Sequence, residues 1–284
     1  MLKKSLQKHC KKSCALASLI TASVGLANVA SATIVEFQTS QGNFQVNLFD
    51  QSTPQTVSNF LTYLDSAHYT NSIVHRVAPN FVVQGGGYTF TGAWPLTALT
   101  PNAAVKNEAI YSNVRGTIAM AKKGGDINSA TNQWFFNLND NSDNLDRQNG
   151  GFTVFGQVIG DGMQVLDNIA QLKLCNFSNL EGIPMAVAEG QTCADMSSPG
   201  VENFVVVENI TIIDSSEVTD SNLNPLLTKF PDSDGDGVKD IDDAFPSDPN
   251  KHLADIADDS GGSITWLGLL ALAFASVRKR LLKS

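Results

Sequence analysis

The chain has 284 residues, of which 42% are hydrophobic, a length and an apolar content typical of a globular protein with one or two domains and not of a disordered one. The formal charge is −9 at pH 7, and basic residues are concentrated at the two ends while the middle of the chain is acidic. Because an acidic surface repels nucleic acid and anionic lipid, we exclude both as partners.

The first 32 residues have the three parts of a secretory signal peptide. Lysines from Lys3 to Lys12 precede an apolar run at about 14–27, and Ala30-Ser31-Ala32 matches an A-x-A cleavage site. The alternative is an uncleaved membrane anchor, but this run is much shorter than the ~20 residues that a membrane span requires. We therefore expect cleavage after Ala32 and export to the periplasm or the cell surface.

Apolar and polar side chains alternate through 33–49, on either side of a turn at Gly42, which predicts a β-hairpin. Thr53 then resembles a helix N-cap, with Pro54 at the first helical position. Apolar residues on one helical face between 57 and 64 predict a short amphipathic helix there.

From 73 to 155 the apolar runs are brief and are separated by Gly, Asn, Asp and Pro, which predicts an antiparallel barrel or sandwich. A second helix is predicted around 163–172, and a β-branched strand at 204–213 is predicted to close the domain. We expect the region between them, residues 173–200, to be irregular.

Two cysteines, Cys175 and Cys193, remain once the signal peptide with Cys10 and Cys14 is removed. In an exported protein this pair favours a single disulfide that closes a loop, and the alternative is two buried, inert thiols. On the loop-entropy account such a bridge stabilises the fold by roughly 3 kcal/mol.

Three sequence blocks stand out, although the first, taken alone, could equally be an exposed cation on a strand beside a turn-forming glycine run. The first, 73–87, places an Arg, a Phe and a Gln on alternating positions of a strand beside a triple glycine. The second runs from 115 through a polar loop to 136, and the third covers 145–156. In this order and at these separations the blocks resemble the cyclophilin family of peptidyl-prolyl cis-trans isomerases, over roughly residues 33–214.

The resemblance implies a mainly β fold, an eight-stranded antiparallel β-barrel closed by two α-helices, with a proline-binding groove on its outer face. It implies that Arg76 is the catalytic arginine and that Phe81 and Gln84 belong to the catalytic set. It also implies a set of substrate-binding residues: Val82, Ala121, Lys122, Gln133, Phe135, Leu145 and Phe152.

The implied roles are chemically sensible for a reaction that only rotates a bond. An X-Pro bond isomerises over a barrier of about 18–20 kcal/mol because amide resonance makes its C–N bond partly double. A guanidinium aimed at the prolyl nitrogen favours the twisted state, in which the nitrogen lone pair is localised. We therefore expect no cofactor for catalysis, a monomer, and proline-containing segments of exported proteins as substrates.

Residues 215–262 form an acidic linker that we expect to share no core with the barrel. Within it, a loop at 232–243 has oxygen-bearing residues and Gly237 at calcium-loop offsets, and it resembles a single thrombospondin type 3-like repeat. The predicted calcium ligands are Asp232, Asp234, Asp236, Val238, Asp240 and Asp243. The alternative is a solvated, metal-free acidic spacer.

Residues 263–284 form a hydrophobic tail with a basic end. Together with Gly261-Gly262 it resembles the GlyGly-type C-terminal sorting signal of some Gram-negative bacteria, which implies a sorting protease as a partner. The alternative is a plain C-terminal membrane anchor that holds the protein in the inner membrane.

Three functions compete on the sequence alone. The chain is an isomerase, a peptide-binding chaperone module, or an adhesion scaffold in which the barrel is a spacer. Arg76, Phe81, Gln84 and Phe135 are all present, and this complete set favours the isomerase.

Overall fold

The computed structural model describes residues 33–177, 180–196, 198–216 and 223–252. The predicted signal peptide, the Gly261-Gly262 pair and the hydrophobic tail therefore lie outside the described residues. Within the described ranges, no helix has the length and apolarity needed to cross a membrane.

The described residues form thirteen β-strands and three α-helices. The strands are β1 (Ile34–Thr39), β2 (Phe44–Leu48), β3 (Ser72–Ile73), β4 (Arg76–Ala78), β5 (Val82–Gly85), β6 (Tyr88–Thr89), β7 (Thr97–Ala98), β8 (Thr117–Met120), β9 (Trp134–Asn137), β10 (Val154–Ile159), β11 (Lys173–Phe177), β12 (Leu180–Met185) and β13 (Val206–Asp214). The helices are α1 (Pro54–Asp65), α2 (Ser142–Leu145) and α3 (Gly162–Gln171).

Eleven strands form one antiparallel sheet in the order β4-β5-β9-β8-β10-β2-β1-β13-β3-β6-β7. The mainly β, antiparallel prediction is confirmed, and β1 and β2 pair as the predicted hairpin. The strand count exceeds eight because three two-residue strands, β3, β6 and β7, extend one end of the sheet.

The sheet curls around an aromatic core that both longer helices close. Phe37 on β1 packs edge-on against Trp134 and Phe136 on β9, with ring centroids 5.3 and 5.4 Å away. Phe60 of α1 and Leu166 of α3 are buried in the same core, which confirms two closing helices. Thr53 does not cap α1, because its buried hydroxyl donates instead to the carbonyl of Phe49 at 3.2 Å.

The region between α3 and β13 is more ordered than we predicted. Strands β11 and β12 pair as a separate antiparallel hairpin, and Cys175 on β11 is disulfide-bonded to Cys193. Buried apolar side chains, among them Ile183, Met185 and Phe204, form a second small core around this bridge. The predicted disulfide is therefore present, and it lies in a packed hairpin and not in an irregular loop.

The expectation that the linker shares no core with the barrel is wrong for residues 223–252, which we call the C-terminal strap. The backbone N–H of Ser112 donates to the carbonyl of Leu226 at 2.7 Å, and that of Thr228 donates to the carbonyl of Ile110 at 3.0 Å. Leu223 packs against an apolar cluster that contains Phe135. The strap docks because it satisfies backbone hydrogen bonds that residues 110–112 would otherwise leave open.

Candidate active site

A row of three polar side chains runs from β4 across β5 to Gln133, the residue before β9. Arg76 stands opposite Gln84 in the register of β4 and β5. The Nη1 of Arg76 donates to Oε1 of Gln84 at 3.3 Å, and Nε2 of Gln84 donates to Oε1 of Gln133 at 2.9 Å. The amide of Gln133 therefore orients the amide of Gln84, and the amide of Gln84 orients the guanidinium of Arg76.

The triple glycine beside this row makes room for its neighbours. A Cβ on Gly85 would lie 2.4 Å from the Trp134 ring, and a Cβ on Gly87 would lie 2.7 Å from Cδ of Gln133. Both distances are shorter than any real carbon contact, so a side chain at either position would displace the residue it meets. Glycine here allows Gln133 to reach Gln84.

An apolar cluster lies next to the polar row, because Phe135 stands opposite Gln84 in the register of β5 and β9. Its buried members include Val82, Phe135 and Leu145, and Phe81, Ala121 and Phe152 pack against them. Phe135 is 5% exposed, and its ring meets that of Phe152 edge-on at a centroid distance of 5.8 Å. The structure thus brings six residues from three separate sequence blocks into one cluster.

Strand alternation explains why Phe135 belongs to this pocket while its neighbours do not. Successive side chains of a strand point to opposite faces of the sheet. Trp134 and Phe136 enter the barrel core, whereas Phe135 between them belongs to the outer cluster.

Lys122 reaches the Phe152 ring through its side chain. Its ammonium donates to the carbonyls of Asn149 and Gly151, both at 2.6 Å, and lies 5.0 Å from the centre of the Phe152 ring. Burial, and secondarily the charge of Lys239, lowers the pKa of Lys122 to about 8.

A cavity of about 310 Å³ adjoins Arg76. Its walls are His75, Arg76, Tyr88, Gln133, Leu180 and Glu181. Burial lowers the pKa of His75 to about 4, so this imidazole is neutral at pH 7. Arg76 is therefore the positively charged group on this wall.

Sequence reasoning missed Leu180 and Glu181 as neighbours of Arg76. They belong to β12, which packs against β4. The cysteine pair was the signal that could have identified these two residues. A disulfide indicates that the segment it closes is ordered and is not a free loop.

Three carboxylates of the strap form a compact group that fits a calcium ion. Asp232, Asp234 and Asp236 each offer an oxygen, and these oxygens lie within 4.8 Å of one another. The Asp236 side chain is 6% exposed, and its Oδ2, like Oδ2 of Asp234 and of Asp243, is buried and accepts no hydrogen bond from a described residue. Nδ1 of His252 lies 3.6 Å from Oδ2 of Asp236, beyond hydrogen-bond distance. Buried carboxylate oxygens without a hydrogen bond are costly, and hard oxygen donors of this kind suit calcium.

The remaining predicted calcium ligands lie outside this group. Asp240 accepts hydrogen bonds from the backbone N–H and the hydroxyl of Ser233, at 2.7 and 2.6 Å, and these bonds lower its pKa. Asp243 is buried, and its Oδ1 accepts the backbone N–H of Phe245 at 2.8 Å. Asp232, Asp234 and Asp236 are thus the three predicted carboxylate ligands that the structure brings together.

Residues 34–186 match the family model described as cyclophilin type peptidyl-prolyl cis-trans isomerase/CLD. A peptidyl-prolyl cis-trans isomerase of Acinetobacter baylyi is 38% identical over 172 residues, which cover 60% of this chain and 86% of that protein. The peptidyl-prolyl cis-trans isomerase B of Escherichia coli is 39% identical over 185 residues, 63% of this chain and 99% of that protein.

Among solved structures, a cyclophilin type peptidyl-prolyl cis-trans isomerase of Cryptosporidium parvum superposes with a TM-score of 0.46 at 22% identity. The superposition covers 65% of this chain and 99% of the Cryptosporidium parvum chain.

Proposed function

The chain belongs to the cyclophilin-type peptidyl-prolyl cis-trans isomerases, and we propose that it accelerates X-Pro isomerisation in exported or surface proteins and so assists their folding. The observation that carries the proposal is the Arg76 guanidinium, hydrogen-bonded to Gln84 at 3.3 Å, beside an apolar cluster that contains Phe81 and Phe135. A proline ring that packs on this cluster would place the amide to be rotated beside the charge.

The residues of the site act on the two halves of the X-Pro bond. Phe135 and its neighbours hold the proline ring still, while the carbonyl side of the bond rotates. Arg76 stabilises the pyramidal prolyl nitrogen of the twisted state more than the planar amide, and this difference lowers the barrier. Gln84, which Gln133 orients, keeps the guanidinium in place and offers hydrogen bonds to the substrate backbone. No bond is made or broken, so the reaction requires no cofactor.

The competing proposal is a peptide-binding module whose groove holds clients without turnover. A protease-coupled assay on a proline peptide separates the two. We expect the chain without its signal peptide to accelerate cis-to-trans isomerisation, whereas a folded chain that binds the peptide and leaves the rate unchanged would establish the binding module.

We further propose that the strap binds calcium through Asp232, Asp234 and Asp236. Isothermal titration of calcium into the full chain is expected to give a saturable heat, and Asp236→Asn is expected to weaken binding at least about tenfold because it removes a buried charge from the site. Asp248→Asn, which alters a strap carboxylate outside the group, is the matched control. The absence of any heat at millimolar calcium would remove this site.

For the ends of the chain we propose export through the N-terminal signal and cleavage of the C-terminal tail near Gly262 by a sorting protease. The supporting features are the A-x-A motif and the glycine pair that precedes a marginal apolar run. Intact-mass measurement of the protein from its native host is expected to find a species that lacks both ends. A mass that still includes Trp266 and Arg278 would establish a plain membrane anchor in place of the sorting signal.

A further inference from the structure

Two lysine side chains from distant parts of the chain bind the same tight turn. Residues Asn149, Gly150 and Gly151 all have positive φ, at 53°, 69° and 73°. The ammonium of Lys122 binds the first and third carbonyls of this turn, and the ammonium of Lys239, from the strap, binds the second at 3.0 Å. Nδ2 of Asn107 also donates to the second and third carbonyls, at 2.8 and 3.0 Å, so two ammonium groups and one amide together hold this uncommon backbone conformation.

Lys239 is unusually buried for a lysine, with 4% of its surface exposed. Burial lowers its pKa, and the charges of Asp232, Asp146 and Asp240 oppose that shift. Its ammonium packs so closely on the turn that a Cβ on Gly151 would lie 2.9 Å from Nζ. A buried ammonium is costly unless it is paired and hydrogen-bonded, so this side chain is placed where the turn and the nearby carboxylates compensate it.

The turn leads directly into the proline pocket. Phe152 follows Gly151, lies under the Lys122 ammonium at 5.0 Å, and meets the ring of Phe135 edge-on. The strap also binds the segment before the turn, because the hydroxyl of Thr228 donates to Oδ2 of Asp146 at 3.1 Å. Thus the strap contacts both ends of the segment that supplies this pocket wall.

We propose that Lys239 is a positioning residue for the isomerase, which holds the turn at 149–151 and, through Lys122, sets Phe152 against the proline ring. The strap is then part of the active site and not a spacer attached to it. This inference rests on the proposed isomerase function. The competing account is that Lys239 only fastens the strap, in which case its loss lowers stability and leaves the kinetics alone.

The test is Lys239→Met in the full chain, because methionine keeps the apolar stem and removes the charge and the donors. We expect KM for a proline peptide, measured by NMR exchange, to rise about 3- to 10-fold, the range for a displaced aromatic contact, while kcat is unchanged, as when uniform binding is lost. Lys239→Arg, which keeps charge and donors, is expected to recover most of the loss. Lys251→Met is the control, since Lys251 is an exposed lysine of the same strap whose ion pair is with Asp248.

A double-mutant cycle that combines Lys239→Met with Lys122→Met tests whether the two lysines act through the same turn. If both lysines act through one turn, the double variant will have a KM no higher than that of the worse single variant, whereas independent effects would multiply. Should Lys239→Met fail to fold, Lys239→Gln carries the same comparison, because its shorter side chain cannot place an amide where Nζ lies.

The outcomes separate this inference from the proposed function. A wild-type chain without isomerase activity contradicts the function. An active wild type with KM unchanged in the folded Lys239 variant, or with multiplying effects in the cycle, overturns the positioning role alone.

Discussion

Arg76→Ala is expected to reduce kcat/KM by roughly 30- to 1,000-fold, equivalent to about 2–4 kcal/mol of transition-state stabilisation, which is the range for removing one preorganised donor. The reason is that Arg76 stands opposite Gln84 in the sheet, and its guanidinium donates to Gln84, which is in turn hydrogen-bonded to Gln133. The loss should appear mainly in kcat, because the guanidinium favours the twisted amide over both planar ground states. The protease-coupled assay, combined with NMR exchange to separate kcat from KM, measures it.

The matched control for that variant is Arg115→Ala. Arg115 is an exposed arginine that forms an ion pair with Asp167 at 2.7 Å, away from the groove. Surface ion pairs of this kind contribute about 0–1 kcal/mol. We expect the control to retain wild-type kcat/KM, and equal activity of Arg76→Ala and wild type would refute the catalytic assignment.

Phe135→Ala is expected to raise KM at least about tenfold and to lower the free energy of unfolding by about 3–5 kcal/mol. Both effects follow from its position, since the ring is 5% exposed and forms a wall that Phe81 and Phe152 continue. Removing it takes apolar contact from the proline ring and leaves a cavity in the cluster. Peptide affinity by NMR and thermal unfolding of the same sample measure the two effects.

Phe136→Ala separates pocket effects from general destabilisation. Phe136 is the next residue of β9, is fully buried, and faces the barrel core on the opposite side of the sheet. We expect a comparable loss of stability and a much smaller change of KM below the unfolding temperature. Equal KM changes in the two variants would mean that Phe135 acts through the fold and not as a pocket wall.

The cysteine pair shows where local sequence reasoning stops. The spacing of the two remaining cysteines and the expected export of the chain were sufficient to predict the bridge between Cys175 and Cys193. In an oxidising environment, pairing depends on which thiols are available. They were insufficient to predict the β11–β12 hairpin. Its pairing depends on burial of Ile183 and Met185 in a small core that Phe204 completes, and Phe204 comes from beyond the bridge.

The strap was misjudged for a related reason. Its composition, rich in Asp, Asn and Pro, is typical of a linker. The strap is bound to the barrel by a short set of backbone hydrogen bonds to residues 110–112 and by one buried lysine. Neither kind of contact produces a periodic pattern of hydrophobic residues in the sequence.

By itself the sequence determined the β-hairpin at the start of the domain, helices α1 and α3, the disulfide and the family to which the chain belongs. Each of these depends on neighbours in the chain, on periodicity, or on a block of residues long enough to identify a family. Only the tertiary structure decided that Arg76, Gln84 and Gln133 form one hydrogen-bonded row, and that Lys239 binds the turn next to Phe152. These contacts join residues between 8 and 89 positions apart, and strand register and burial, which no local pattern encodes, bring them together.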